Sequence, residues 1–263
     1  MTPDLDLLRD AAQEAGRLAL KLQESGLQVV RKGDGSPVTS ADLAVDALLK
    51  ERLRAARPDY GWLSEETADV PDRLAHDRVF MVDPIDGTRA YISGRPWWVV
   101  SVAVAEAGRA VAGVIYNAAL EETYEAAEGR GAYLNGAPIH CSTVTDLGAC
   151  AMLADPALFA NGWEEPWPSM RVERRNAVAY RMALVAAGAF DAAIALNDKH
   201  DWDIAAGLVI AREAGAVSTD HKGRNLLLNS PSALNPSLIC TAPALHPLIL
   251  ARTAPIDLPE TST

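Results

Sequence analysis

The sequence predicts an α+β half over residues 1–140, built on an antiparallel sheet, followed by an α/β half over residues 141–263. Three observations predict it. Apolar residues recur at helical spacing in two N-terminal segments, three β-rich runs separated by short turns lie between Trp97 and Ala127, and helical and strand patterns alternate from Ala177 onward. A chain of 263 residues suits one sizeable domain or two tightly packed halves.

In order, Asp4 is placed to cap a first helix bearing Leu5, Leu8, Ala12, Ala15, Ala19 and Leu22, which the Gly26 region ends. Arg31–Pro37, with two glycines and a proline, reads as a loop. Thr39-Ser40-Ala41-Asp42 fits a capping box for a second helix with Leu43, Leu48, Leu49 and Leu53 on its apolar side. The apolar run Val79–Val82 reads as a buried strand that stops at Asp83, because Pro84 has no amide for the ladder. Trp97–Ala105, Ala110–Tyr116 and Thr123–Ala127 form an antiparallel meander by length and β-branched content, and Gly129–Pro138 reads as loop. Asn161–Ser169 is an irregular segment whose Trp163 and Trp167 are suited to a pocket rim. Then follow a helix over Ala177–Ala187, a strand over Phe190–Leu196, a helix over Asp203–Ala214 stopped by Gly215, strands over Ala216–Thr219 and Ser237–Thr241, and a helix from Ala244.

Composition excludes several classes of function. A formal net charge of −11 argues against nucleic acid or an anionic membrane as a standing partner, since both require a basic surface. The apolar tract Met182–Phe190 is too short to span a bilayer, and Met1–Asp10 lacks the basic-then-apolar order of a signal peptide. Cys141, Cys150 and Cys240 have no C-x-x-C spacing and read as free thiols, which with the missing signal predicts a cytoplasmic protein. His76, His140, His221 and His246 show no metal-ligand spacing and read as surface or loop residues.

Chemistry concentrates at Asp83-Pro84-Ile85-Asp86-Gly87-Thr88. The fixed φ of Pro84 and the freedom of Gly87 predict a tight turn that delivers Asp83, Asp86 and the Thr88 hydroxyl to one point. Two carboxylates held that close need a proton or a cation between them, and oxygen-only ligation favours a hard ion such as Mg²⁺. An ordinary strand exit uses the same residues, just as capping alone accounts for Asp42 and Asp203, and a solvated surface for Glu65-Glu66.

Taken together, Leu63-Ser64-Glu65-Glu66, Asp83 to Thr88, and Trp202-Asp203-Ile204-Ala205-Ala206-Gly207 resemble the three signature segments of the inositol monophosphatase superfamily, metal-dependent phosphomonoesterases. The resemblance runs from Asp42 to about Cys240 and implies a layered αβαβα fold. It implies that Glu65, Asp83 and the Ile85 carbonyl hold one Mg²⁺, that Asp83, Asp86 and Asp203 hold a second, and that a third, weaker ion sits near Glu65. Thr88, oriented by Asp42, would then position and help deprotonate the attacking water. Its members are commonly dimers, which makes a homodimer an expectation here. Two metals about 3.5–4 Å apart neutralise both the attacking and the leaving oxygen and acidify bound water. Amides at Gly87 and Thr88 add donors for phosphate oxygens.

The departures from the family pattern point to the substrate. Arg89-Ala90-Tyr91 follows Thr88, and the basic residue there is more like the bacterial 3'(2'),5'-bisphosphate nucleotidases. Leu196 stands seven residues before Asp203, where inositol enzymes carry a glutamate for ring hydroxyls, and a leucine accepts no hydrogen bond. Arg175-Asn176-Ala177 replaces the Gly-Ser that many relatives place before the helix. Lys199 is a candidate for a second phosphate, and with Asp86, Gly87, Thr88, Arg89 and Asp203 completes the expected substrate contacts; a solvated loop is its plainer reading. The reading is a Mg²⁺-dependent phosphatase acting on a small phosphorylated metabolite such as adenosine 3',5'-bisphosphate. Inositol, sugar or histidinol phosphate is the alternative within the class, and a catalytically silent metabolite-binding protein the alternative outside it.

Overall fold

Leu5, Leu8, Ala12, Ala15 and Ala19 lie along one side of the first helix, α1 (Pro3–Ser25), and are all buried. In the computed structural model, which describes residues 3–33, 35–160 and 162–258, that face packs on a seven-stranded sheet. Gly16 makes the close approach possible: a Cβ there would stand 2.5 Å from the Tyr116 ring. Asp4 is not the cap, because the helix already includes Pro3; its carboxylate instead accepts from Arg57, Tyr60 and Arg78.

After α1 come β1 (Val29–Arg31), β2 (Pro37–Thr39), α2 (Ser40–Ala56), β3 (Gly61–Ser64), β4 (Arg78–Asp86), the short α3 (Thr88–Ile92), β5 (Val99–Glu106), β6 (Arg109–Asn117), β7 (Glu122–Ala127), β8 (Ala132–Leu134) and β9 (Ala137–Ile139). Strands β3 to β9 lie side by side in chain order; β3 and β4 are parallel and the rest antiparallel. The meander is as expected. Two expected loops are hairpins instead: Arg31 pairs with Pro37, and Leu134 pairs with Ala137 where Gly129–Pro138 read as loop. In the second, Asn135 and Gly136 both take positive φ, which turns the chain in two residues, so the glycines serve a turn rather than end the sheet. Asp34 lies outside the described residues.

The second half supplies β10 (Ala151–Leu153), β11 (Arg171–Glu173), α4 (Val178–Ala186), β12 (Ala192–Ala195), β13 (Lys199–His200), α5 (Asp201–Glu213), β14 (Val217–Thr219), β15 (Leu234–Asn235), β16 (Leu238–Thr241) and α6 (His246–Thr253). Five of these strands form a mixed sheet in the order β11-β10-β12-β16-β14. Strand alternation then sets the layers. Phe80 and Val82 face α1 and α2, Met81 faces α4 and α5, Ala193 and Ala195 face those helices from the other side, and Ala192 and Ile194 face α6. The result is the αβαβα layering, with α4 and α5 between the sheets.

Other local expectations shift. Leu43 is 54% exposed, and the buried stripe of α2 is Ala41, Val45, Leu49 and Leu53 at four-residue spacing. Trp163 and Trp167 meet edge to face, Trp167 and Phe159 pack against the outer cluster, and neither tryptophan lines the Thr88 cleft described below; Asn161 lies outside the described residues. His221 is buried, its Nδ1 against the Ser237 hydroxyl. The three cysteines are free, and burial pushes the Cys150 and Cys240 thiols up to about 12. No helix among the described residues is long and apolar enough to cross a membrane.

Candidate functional site

Strand β4 does not stop at Asp83 but continues to Asp86 through an irregularity that Pro84 imposes. Asp83 pairs with Ser101 and Asp86 with Val99, so Pro84 and Ile85 together face Val100 alone. That extra residue matters for direction. In a regular strand residues three apart point to opposite faces; here both Asp83 and Asp86 reach the α4–α5 side, while Ile85 packs toward α1 and α2. Gly87, at φ +94°, then turns the chain into α3 and sets Thr88 at its first position.

Local and long-range contacts together hold the cluster. Asp86 Oδ2 accepts the Ala179 amide at the start of α4 at 2.6 Å. Asp203 is the third residue of α5 rather than its cap, and Oδ2 accepts the His200 amide at 3.0 Å. Asp42 sits in the expected capping box, one oxygen taking the Thr39 amide at 2.8 Å and the other 3.3 Å from the Thr88 hydroxyl. Glu65, just past β3, meets Lys32 Nζ at 2.8 Å, and the same ammonium meets Glu66 at 2.7 Å.

The electrostatics are those of crowded buried anions. Burial, then the charges of Glu65, Asp86, Asp203 and Asp42, hold the Asp83 carboxyl well above the usual carboxylate range. Burial and Asp203 push Asp86 up to about 8, and burial takes Asp203 to about 7 against the pull of Lys199. No basic side chain pairs with Asp83 among the described residues. Nor are any three His, Cys, Asp or Glu side chains among the described residues grouped so that they could hold a metal ion as they stand. The fit to a hard divalent cation therefore lies in the donor chemistry: Glu65, Asp83, Asp86, Asp203 and the Ile85 carbonyl offer oxygen alone, and a cation relieves the repulsion that raises these carboxyls.

Beside Thr88 opens a cleft of about 290 Å³, lined by Glu65, Gly87, Thr88, Arg89, Arg174 and Arg181 among others. Larger concavities, such as one of about 610 Å³ beside Trp62, contain none of these motif carboxylates. Arg89 is on this cleft. Lys199 is not: it is buried on β13 and donates to the Asp198 carbonyl at 2.7 Å, while Asp203 and Asp86 act on it through space. Leu196 packs into the cluster on the outer side of the five-stranded sheet and does not line the cleft. Lys32, Arg174 and Arg181 were not among the sequence candidates. For Arg181 a signal existed, since it is the one charged residue in the nine-residue helix α4.

A sequence model of the inositol monophosphatase family matches residues 1–257. The chain belongs to that family. Among inositol monophosphatase relatives, a histidinol-phosphatase from Chlorobaculum parvum is 35% identical over 243 residues, covering 87% of this chain and 90% of that protein. An inositol-1-monophosphatase from Mesorhizobium japonicum is 34% identical over 244 residues, covering 88% and 90%. The solved Thermotoga maritima IMPase superposes with a TM-score of 0.83 at 27% identity, covering 95% of this chain and 96% of that one. Fold and family thus agree with the layering described above.

Proposed function

We propose that the chain is a Mg²⁺-dependent phosphomonoesterase acting on a small phosphorylated metabolite, with a 3'(2'),5'-bisphosphonucleotide such as adenosine 3',5'-bisphosphate as its substrate. One observation carries the reaction: buried carboxylates from distant segments crowd together, Asp203 acting on both Asp83 and Asp86 and Glu65 on both Asp83 and Asp203, and Glu65 also lines the cleft that presents Thr88. In this reading Glu65, Asp83 and the Ile85 carbonyl would hold one ion and Asp83, Asp86 and Asp203 a second, with a third near Glu65. When bound, the ions neutralise phosphate charge and acidify water.

The chain's own groups do the rest. Thr88 orients the attacking water through its hydroxyl, 3.3 Å from Asp42. The Thr88 oxygen accepts the proton that the water loses as its own proton passes to Asp42, whose carboxyl burial holds above the usual range, which makes it the better base. Gly87 and Thr88 offer amides to the phosphate oxygens. Arg89 lies on the cleft and supports a substrate with a second anionic group, and no carboxylate from position 196 is there to receive ring hydroxyls.

The 35% identity to a histidinol-phosphatase favours one second reading, histidinol phosphate on the same machinery. Phosphate release from adenosine 3',5'-bisphosphate, inositol 1-phosphate, fructose 1,6-bisphosphate and histidinol phosphate, with Mg²⁺ and with EDTA, decides. Mg²⁺-dependent release from the nucleotide above the others supports the leading reading. Preference for histidinol phosphate or the inositol ester replaces the substrate, and release that survives EDTA overturns the metal assignment.

A further inference from the structure

Helix α4 reads Val-Ala-Tyr-Arg-Met-Ala-Leu-Val-Ala, and Val178, Ala179, Tyr180, Met182 and Ala183 around Arg181 are buried. A guanidinium set among such neighbours is costly without an anion beside it. Arg174 and Arg175 have theirs, in Asp155 and Glu173. Arg181 pairs with no carboxylate among the described residues; Asp86 acts on it only through space.

Among the described residues, one hydrogen bond holds the Arg181 side chain, on one side. Its Nε donates to the Arg175 carbonyl at 2.7 Å. Arg175 is in turn fixed, its guanidinium 4.2 Å from the Trp97 ring centre and 2.6 Å from Glu173. With Nε spent, the planar fork is oriented and its terminal amino groups are left for the cleft that Arg181 lines with Thr88, Arg89 and Arg174. An oriented, unpaired guanidinium in a chain of net charge −11 is a receptor for an anion that arrives from outside.

We propose that Arg181 is the specificity-determining residue for the second anionic group: its terminal amino groups receive the non-scissile phosphate of a bisphosphorylated substrate. The proposal rests on the phosphomonoesterase reading above and replaces Lys199 as the residue that meets this phosphate. It predicts that Arg181 is silent toward an ester that carries the scissile phosphate alone.

The test compares wild type, Arg181→Met, which suits the apolar helix, and Arg181→Lys, with melting curves to verify folding. Substrates are adenosine 3',5'-bisphosphate and adenosine 3'-phosphate. The expected result is that Arg181→Met lowers kcat/KM on the bisphosphate about 10–100-fold, chiefly through KM, leaves the monophosphate within about 3-fold, and that Arg181→Lys recovers part of the loss. Equal losses on both esters, or none, overturn the proposal. If sugar esters prove to be the substrates, fructose 1,6-bisphosphate and fructose 1-phosphate are read the same way, and a wild type that shows no preference for either bisphosphate overturns it. If no ester is hydrolysed, the phosphomonoesterase reading fails separately; calorimetric titration with adenosine 3',5'-bisphosphate then reads the subsite, where binding weakened about 10-fold or more by Arg181→Met supports it and unaltered or absent binding sinks it.

Discussion

The Thr88 hydroxyl stands 3.3 Å from Asp42 Oδ1 and 3.2 Å from the Ile85 carbonyl, so one hydrogen has two acceptors on two different elements. Asp42 Oδ2 is meanwhile locked by Thr39, whose amide and hydroxyl lie 2.8 and 2.5 Å away. The helix cap thereby orients the carboxylate that faces Thr88. Thr88→Ala should lower kcat about 100-fold or more while Thr88→Ser retains most of it, with little change in melting temperature for either. Equal activity of the alanine and serine variants would remove Thr88 from the mechanism.

Asp86 is the acid whose removal best separates charge from fold. Its Oδ2 bond to the Ala179 amide can be kept by an asparagine oxygen, while the repulsion from Asp203 is relieved. Asp86→Asn should cost most of kcat and abolish the rise in melting temperature on adding Mg²⁺, with metal-free stability within about 1 kcal/mol of wild type. Wild-type turnover in this variant would refute the two-ion assignment.

Asp203→Asn is expected to follow the same kinetic pattern, with a cost at the start of α5 of about 1 kcal/mol or less, because the His200 amide keeps an acceptor. Urea unfolding of the metal-free protein reads that cost.

Gly87 cannot be replaced cheaply. Its φ is +94°, and a Cβ would stand 2.8 Å from the Trp97 carbonyl oxygen and 3.1 Å from the Ala177 Cβ. Gly87→Ala should destabilise by about 1–3 kcal/mol and, by moving Thr88, reduce kcat further than the lost stability explains. A variant that melts and turns over as wild type would place the strain elsewhere.

Asp220 supplies a pH signature far from the cleft. Burial raises its carboxyl, but the Arg224 and Lys222 amides and the Arg224 guanidinium outweigh that and hold it below its ordinary value. A lowered native pKa means that the unfolded chain binds the proton first, so the contribution is complete above the unfolded value of about 3.9 and is lost as pH falls through the native one. Asp220→Asn should therefore cost about 1–3 kcal/mol at neutral pH, and the gap to wild type should close below about pH 3.9. Urea melts of both proteins across that range measure it; a gap independent of pH would show that the charge contributes nothing.

The sequence by itself determined what depends on near neighbours. The helical stripe of α1, the Thr39–Asp42 capping box, the meander and the turn at Gly87 each arise from residues a few positions apart, so periodicity and turn chemistry reveal them. The three acidic motifs were legible through their resemblance to the inositol monophosphatase superfamily, since a strand exit, a helix cap or a solvated surface accounts for each taken alone. The tertiary structure decided what crosses the chain. It brings Asp42 to Thr88 across 46 positions, the Ala179 amide to Asp86 across 93, and Lys32 to Glu65 across 33. It also turns Leu196 outward and buries Lys199, leaving Arg181 on the cleft. A residue's side of a strand or helix can be read from its spacing, but what stands opposite that side is set only when α4 and α5 pack between the two sheets, because the facing surface comes from distant parts of the chain.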